Sequence, residues 1–157
     1  MKTHEQYLQQ CLELAARQAL TPGGGPFAAL VVKNGEVIAE GCNQVTGSCD
    51  PSAHAEVVAI RAACQKLKDY QLTDCIIYSS CEPCPMCLGA IYWARPAAVY
   101  FAASRDEAAD AGFDDSLIYQ QINLSGDQRL IPFRHLAVPG TSGPFLVWKT
   151  NLARKDY

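Results

Sequence analysis

The sequence lacks long apolar runs: no segment approaches the roughly 18 to 20 apolar residues that a membrane span requires. Its first twenty residues also lack the uninterrupted apolar core of a signal peptide, because Glu and Gln recur through them. The eight cysteines are therefore expected in the reducing cytoplasm, where clustered thiols bind metals or act in catalysis more often than they form disulfides. Repeats and low-complexity tracts are absent as well, and 157 residues predict a single domain.

Positive charge is also scarce. The chain has 13 Lys and Arg residues against 16 Asp and Glu residues, which gives a formal net charge of −3. Proteins that bind a phosphate backbone usually carry a basic stripe. The composition therefore argues against a nucleic-acid partner, although a local basic patch is compatible with an acidic average. The lack of a long apolar run predicts no membrane partner.

The apolar pattern predicts an α/β fold with a central mixed sheet of about five strands. Strands alternate with helices in the middle of the chain, which indicates parallel pairing with helices on both faces of the sheet. The predicted elements, in chain order, are a helix at 4–20, a hairpin around Asn34-Gly35, a helix at 51–68, a strand at 74–80, a helix at 84–94, a strand at 97–103, short helices at 104–111 and 114–122, a strand at 133–138 and a closing helix from 145.

Three cysteines recur at intervals of three in the stretch SSCEPCPMCLG, residues 79–89. Pro85 fits the first position of a helix, which makes Cys84 the N-cap and Cys87 the third helical residue. An N-cap side chain faces that third position, so these two thiols converge beside a helix N-terminus, whose potential favours thiolates. Cys81 precedes them in an extended segment and is expected to point away, as a small buried residue rather than a ligand.

A histidine and a carboxylate stand at the start of another predicted helix, in the stretch SAHAEVV. His54 offers a third ligand, and Glu56 lies close enough to the helix N-terminus to reach the same point. Two thiolates and one imidazole leave a zinc ion with an open position for water, and Glu56 is then the natural general base. A fourth protein ligand would instead make the site a structural clip. The combined H-x-E and P-C-x-x-C pattern is typical of zinc-dependent deaminases, which favours the catalytic interpretation.

The chain resembles the cytidine/deoxycytidylate deaminase superfamily at Asn43, at DPSAHAEVVAI (50–60) and at SSCEPCPMCLGAIYWAR (79–95). More narrowly, it is similar over nearly its full length to the small bacterial guanine deaminases, through GGPFAALVV (24–32), AGFDDSLIY (111–119) and the terminal KDY. The resemblance implies a three-layer α/β/α cytidine-deaminase-like fold.

The resemblance also implies the reaction. One Zn²⁺ per subunit would be held by His54, Cys84 and Cys87, and guanine would be hydrolysed to xanthine and ammonia. Glu56 would take a proton from the zinc-bound water that attacks C2 of the base and deliver it to the neighbouring ring nitrogen. Backbone N–H groups of Ala55 and Cys84 would orient the water and stabilise the intermediate.

Further residues are expected to bind the base. Asn43 suits the mixed donor and acceptor edge of a purine, and Phe27 is placed to stack on the ring. Guanine's N1–H and amino group are donors, so a carboxylate partner is expected; by resemblance this is Asp115, while Asp114 beside it remains the alternative. Trp93 would form a wall of the pocket. The competing interpretations are a turn residue for Asn43 and core residues for Phe27 and Trp93.

The C-terminal tail, about 144–157, ends in Arg-Lys-Asp-Tyr. A polar terminus is usually disordered. The resemblance implies instead that the tail covers the active site as a lid and that Tyr157 contacts the substrate. It also implies a homodimer, in which the lid belongs to the same subunit or is exchanged with the partner.

Three other functions are compatible with the zinc motifs. A tRNA adenosine deaminase shares them, but it must attract a polyanion, and the region around 104–122 is rich in acidic residues. A deaminase of guanosine or cytidine leaves no clear trace of its ribose pocket in a sequence. A zinc-clipped binding module would have no turnover and would tolerate Glu56→Gln.

Overall fold

The computed structural model of the chain describes residues 2–157. The chain divides into two compact units, residues up to Asp115 and Ser116–Tyr157. The elements of the first unit are α1 (His4–Ala19), β1 (Ala28–Lys33), β2 (Glu36–Cys42), α2 (Val45–Ser48), α3 (Ala55–Leu67), β3 (Cys75–Cys81), α4 (Pro85–Ala94), β4 (Ala98–Ala103) and α5 (Arg105–Asp110). Those of the second unit are α6 (Ser116–Ile122), a 3₁₀ turn (Gly126–Gln128) and α7 (Gly143–Thr150).

The sheet is mixed, as the sequence predicts. Its strand order is β2-β1-β3-β4, with β1 antiparallel to both neighbours and β3 parallel to β4. The hairpin between β1 and β2 turns at Asn34 and Gly35, whose φ angles are 51° and 81°. Two successive positive φ angles are what a tight hairpin turn of this kind requires, and Asn-Gly supplies them at low cost.

Helices cover both faces of this sheet and give the first unit its three layers. On one face, α1 packs Tyr7 and Cys11 against Leu30 and Tyr78. On the other face, α3 and α4 pack against the alternate side chains of the strands, in a cluster that includes Ala29, Val31, Ala55, Ala59, Ile60, Ile77 and Ile91. The central strands β1 and β3 are buried on both faces, which explains why they read as continuous apolar runs.

The strand predicted at 133–138 does not form, so the sheet has four strands where about five were expected. Residues 132–138 have no regular secondary structure. Pro132 and Pro139 flank the stretch and cannot donate to a strand ladder. The stretch also lies in the second unit, where the described residues form no other strand with which it could pair.

The start of α3 was predicted too early. The expected start at residue 51 is occupied by a turn, in which the Asp50 carboxylate accepts hydrogen bonds from the backbone N–H and the hydroxyl of Ser52, at 2.8 and 2.7 Å. Because Asp50 closes this Asx-type turn, it does not cap the helix. The helix begins at Ala55 with His54 as its N-cap, and the short helix α2, which the sequence did not predict, precedes the turn.

The second unit is unusual in its exposure. None of the residues 116–157 is buried. Large apolar side chains are exposed along its whole length: Leu117, Ile118, Ile122, Leu130, Ile131, Phe133, Leu136, Val138, Phe145, Leu146, Val147, Trp148, Leu152 and Tyr157. Apolar surface of this extent marks an interaction site in a folded protein. Among residues 2–157, no helix has the length and hydropathy needed to cross a membrane.

Candidate active site

Two helix N-termini meet at one end of the sheet. His54 is the N-cap of α3, and Cys84 is the N-cap of α4, with Pro85 in the first turn as the sequence predicts. Helix α3 approaches so closely because β2 carries Gly41 below it: a Cβ at this position would overlap the carbonyl oxygen of Ala55. The fold therefore brings together two segments that are thirty residues apart in the chain.

The side chains at these helix ends form a cluster with the dimensions of a zinc site. His54 Nδ1 lies 3.5 Å from Cys84 Sγ and 3.6 Å from Cys87 Sγ. The three ligand atoms all lie within 4.8 Å of one another. Zn–S bonds of ~2.3 Å and a Zn–N bond of ~2.05 Å at a tetrahedral angle place sulfur and nitrogen ~3.6 Å apart. The observed separations match this value, so the three residues fit a zinc ion.

The pKa values of the two thiols, Cys84 and Cys87, shift in opposite directions. The pKa of Cys84 is lowered to about 4, because of its contacts with Cys87 and with His54. The pKa of Cys87 is raised, because of its contact with the Cys84 sulfur, its burial and the negative charge of Glu56. Hydrogen bonding to Cys84 raises the pKa of His54.

Glu56 is buried beside this cluster. Only 6% of the residue is exposed, and burial raises its pKa. One carboxylate oxygen, Oε2, accepts a hydrogen bond from Cys87 Sγ at 3.4 Å, and the other, Oε1, accepts one from Ser79 Oγ at 3.3 Å. A carboxylate with a raised pKa next to a ligand cluster has the properties of a general base and acid.

Cys81 is not part of the cluster, as the sequence predicts. It is the last residue of β3, and its Sγ donates to the carbonyl oxygen of Ser104 at 3.6 Å. Burial raises its pKa to about 11, so it is a neutral thiol at physiological pH. The cluster thus contains three protein ligands among the residues described, which leaves room for a fourth, exchangeable ligand.

A cavity of about 110 Å³ opens onto the cluster. Four of the residues predicted to bind the base line it, namely Phe27, Asn43, Ala55 and Asp115, together with His54, Glu56, Cys81, Glu82, Cys84, Arg105, Ala108 and Phe113. The backbone N–H of Asn43 donates to the Phe27 carbonyl oxygen at 3.1 Å, which joins two of these residues, and Asn43 Oδ1 accepts from the backbone of Val45 at 3.2 Å.

The carboxylate of Asp115 is in an unusual setting. Burial and the negative charge of Cys84 raise the pKa of Asp115, while the positive charge of Arg105 opposes this shift. The preceding segment folds back on α5, because the backbone N–H of Phe113 donates to the Ala108 carbonyl oxygen at 2.9 Å. The ring of Phe113 lies edge-on to Phe27, with 4.9 Å between the ring centroids.

Several residues of the site were missed by sequence reasoning. Glu82, Arg105 and Phe113 line the cavity, and Ser79 binds Glu56. The only sequence signal for Ser79 is its polarity within an apolar strand, and the others lie next to motif residues without a pattern of their own.

Two residues that were predicted to contact the substrate, Trp93 and Tyr157, do not line this cavity. Trp93 lies late in α4 and is 64% exposed. Tyr157 ends the second unit, where its ring lies 6.5 Å from that of Trp148. Their contacts with substrate stay predictions.

Comparisons with known proteins agree with this site. Residues 1–103 match the family model of the cytidine and deoxycytidylate deaminase zinc-binding region. The chain is 53% identical to a guanine deaminase of Bacillus subtilis (strain 168), over 98% of this chain and 99% of that protein. An X-ray structure of guanine deaminase from Bacillus subtilis superposes with a TM-score of 0.98 at 52% identity and covers 99% of both chains.

Relatives with another named activity match less of the chain. A tRNA-specific adenosine deaminase of Aquifex aeolicus is 41% identical over 56% of this chain and 58% of its own length. The similarity to the Bacillus subtilis protein extends through the second unit, whereas this one covers about half of the chain.

Proposed function

The chain belongs to the cytidine and deoxycytidylate deaminase family, and from that premise we propose that it hydrolyses guanine to xanthine and ammonia. The observation that carries the proposal is the buried Glu56 carboxylate, which lies beside a His–Cys–Cys cluster and opens onto a small cavity. A purely structural zinc site has no need of such a carboxylate. The reaction consumes one water and releases the exocyclic amino group, which is a step of purine catabolism.

Zinc is the cofactor, one ion per subunit, with His54, Cys84 and Cys87 as its ligands. When bound, the ion acts as a Lewis acid that makes water acidic enough to lose a proton near neutral pH. Glu56 accepts that proton and delivers it to the ring nitrogen next to C2 of guanine. It then assists the departure of the amino group as ammonia. The raised pKa of Glu56, caused by its burial, suits both roles, because it makes the carboxylate a stronger base than an exposed Glu.

The cavity residues divide the recognition of guanine among them. Asp115 accepts hydrogen bonds from the N1–H and the amino group, since an ionised carboxylate is an acceptor only. Asn43 donates to and accepts from the remaining polar edge, and Phe27 stacks on the ring. Ala55 is the first residue of α3, and its backbone N–H, at the positive end of the helix, donates a hydrogen bond to the reacting oxygen.

The active enzyme is a homodimer, and the tail of about 144–157 is a lid over the site. The support is the exposure of the second unit, whose apolar side chains need a covering partner. A tail that is exchanged between subunits would cover this surface and bring Tyr157 of each chain to an active site. Trp93, exposed on α4, is then available to line the pocket across the interface. The eight cysteines, none of them in a disulfide among the described residues, suit a cytoplasmic location.

A tRNA substrate is less consistent with the chain. The relatives named as tRNA adenosine deaminases match between 52% and 77% of the chain, against 98% for the guanine deaminase, and the net charge of −3 does not favour a polyanion.

The test is an ultraviolet assay of the zinc-loaded protein with guanine, guanosine, adenine, cytosine, cytidine and a tRNA anticodon hairpin. We expect guanine to be converted to xanthine, with one ammonia released per base. No loss of guanine together with clear turnover of another substrate would overturn the assignment.

A further inference from the structure

The central strand β3 carries one polar side chain in an apolar row. Alternate residues face α3 and α4, and Cys75 and Ile77 of this row belong to the apolar core. Ser79 is next in the row and is 2% exposed. Burying a hydroxyl is unfavourable unless it forms a hydrogen bond, so the buried Ser79 hydroxyl requires a hydrogen-bond partner.

That partner is Glu56. Ser79 Oγ donates to Glu56 Oε1 at 3.3 Å, across the space between β3 and α3. The second carboxylate oxygen accepts from Cys87 Sγ at 3.4 Å. Each carboxylate oxygen thus has one side-chain donor, and both donors are buried.

Zinc binding removes one of these two donors. A cysteine binds zinc as a thiolate, so Cys87 has no proton to donate once it is a ligand. Among the described residues, two side chains donate hydrogen bonds to Glu56, and only the hydrogen bond from Ser79 persists when Cys87 binds zinc.

We infer that Ser79 is a positioning residue, which fixes one oxygen of the Glu56 carboxylate so that the other is free to carry the proton between water and the base. This inference rests on the proposed deaminase function. A carboxylate held by one oxygen keeps its second oxygen aligned, and a general base must lie within hydrogen-bond reach of the proton it moves.

The fold itself does not require the hydroxyl. Ser79 pairs with Ala29 on β1 and with Phe101 on β4 through the backbone, which any residue provides. Alanine is similar in size and matches the apolar neighbours in the row. We therefore expect Ser79→Ala to preserve the structure and the zinc cluster while releasing Glu56.

The neighbouring Ser80 is a matched control. It lies on the same strand, is 3% exposed, and accepts a hydrogen bond from the backbone N–H of Ala28 at 3.0 Å. Its side chain serves the backbone and has no described contact with Glu56. A purely structural effect of removing a buried hydroxyl should appear in both Ser79→Ala and Ser80→Ala.

The kinetic test compares the zinc-loaded variants with guanine. Ser79→Ala should lower kcat roughly ten- to hundredfold with little change in KM. A loss of this size corresponds to the free energy of one hydrogen bond to a charged group. Ser79→Thr, which keeps a hydroxyl, should recover most of kcat, and Ser80→Ala should retain it. Unchanged kcat in Ser79→Ala, or an equal loss in Ser80→Ala, would overturn the inference.

A second measurement is independent of turnover. The carboxyl ¹³C resonance of Glu56, assigned with Glu56→Gln, should shift in zinc-loaded Ser79→Ala and stay in place in Ser80→Ala, at full zinc content in both. A resonance that does not move refutes the contact even if kcat falls. Because this measurement needs no substrate, it decides the inference even if guanine proves not to be the substrate.

Discussion

Replacing Gly41 with alanine tests how the sheet positions the helix that carries His54 and Glu56. A Cβ at residue 41 would overlap the carbonyl oxygen of Ala55 and crowd the backbone nitrogen of Ala59. Both obstacles are backbone atoms of α3, so no side-chain rotation relieves them and the strand or the helix must shift. Overpacking of this kind costs about 1–3 kcal/mol, and the lower entropy of the unfolded alanine chain offsets ~0.4–1 kcal/mol. The expected net loss therefore lies between about 0 and 2.6 kcal/mol, with a central value of about 1.3 kcal/mol.

Thermal unfolding of the zinc-loaded protein measures this loss. For a chain of this length, where 1 kcal/mol corresponds to roughly 2–4 °C, we expect Gly41→Ala to lower Tm by about 3–5 °C at the central value. Gly89→Ala is the matched control, because Gly89 lies inside α4 and an added Cβ there meets no atom within 4 Å. That variant should gain about 0.5–1 kcal/mol from better helix propensity. If Gly41→Ala were as stable as Gly89→Ala, this would contradict the claim that β2 and α3 lie too close together to accept a Cβ at residue 41.

Three further predictions concern the metal, the substrate and the lid. Cys84→Ala should abolish zinc binding while Cys81→Ala keeps one zinc per chain by metal analysis; zinc loss in Cys81→Ala would contradict the three-ligand site. The KM for guanine should rise as the pH falls. The raised pKa of Asp115 makes this residue take up a proton at a higher pH than an ordinary Asp, and the protonated form no longer accepts hydrogen bonds from both guanine donors. Asp115→Asn should raise KM and remove the pH dependence, whereas Asp114→Asn should retain it. Mixing an inactive Glu56→Gln chain with a chain lacking residues 144–157 should restore turnover if the lid is exchanged between subunits, and two chains that remain inactive together would argue for a lid within one subunit.

The metal centre was predictable from the sequence because its geometry is local. Pro85 fixes the start of α4, and this places Cys84 and Cys87 on one point without any knowledge of the rest of the fold. Cys81 was separated from them by the same local argument, since an extended segment alternates its side chains. His54 joined them because both helices begin at the same end of the sheet, which an α/β pattern already implies.

Other features depend on contacts that a linear pattern does not carry. Asp50 directly precedes the start that was predicted for α3, but its carboxylate closes a turn there, and either a capping or a turn role is ordinary for Asp before Pro and Ser. The stretch at 133–138 looked like a strand, but strands need a neighbour and this one has none. Ser79 is an unremarkable residue in the sequence, and it acquires a meaning only when α3 places Glu56 opposite it.

The most direct test of the account measures zinc content and guanine turnover on the same samples of the wild-type protein, Glu56→Gln and a control, Glu36→Gln, at an exposed strand position. All three should hold one zinc per chain. The wild type and Glu36→Gln should form xanthine at equal rates, and Glu56→Gln should lose at least the ~10²–10⁴-fold that general acid–base catalysis contributes. A Glu56→Gln protein that retains zinc and deaminates guanine at the wild-type rate would contradict the central claim.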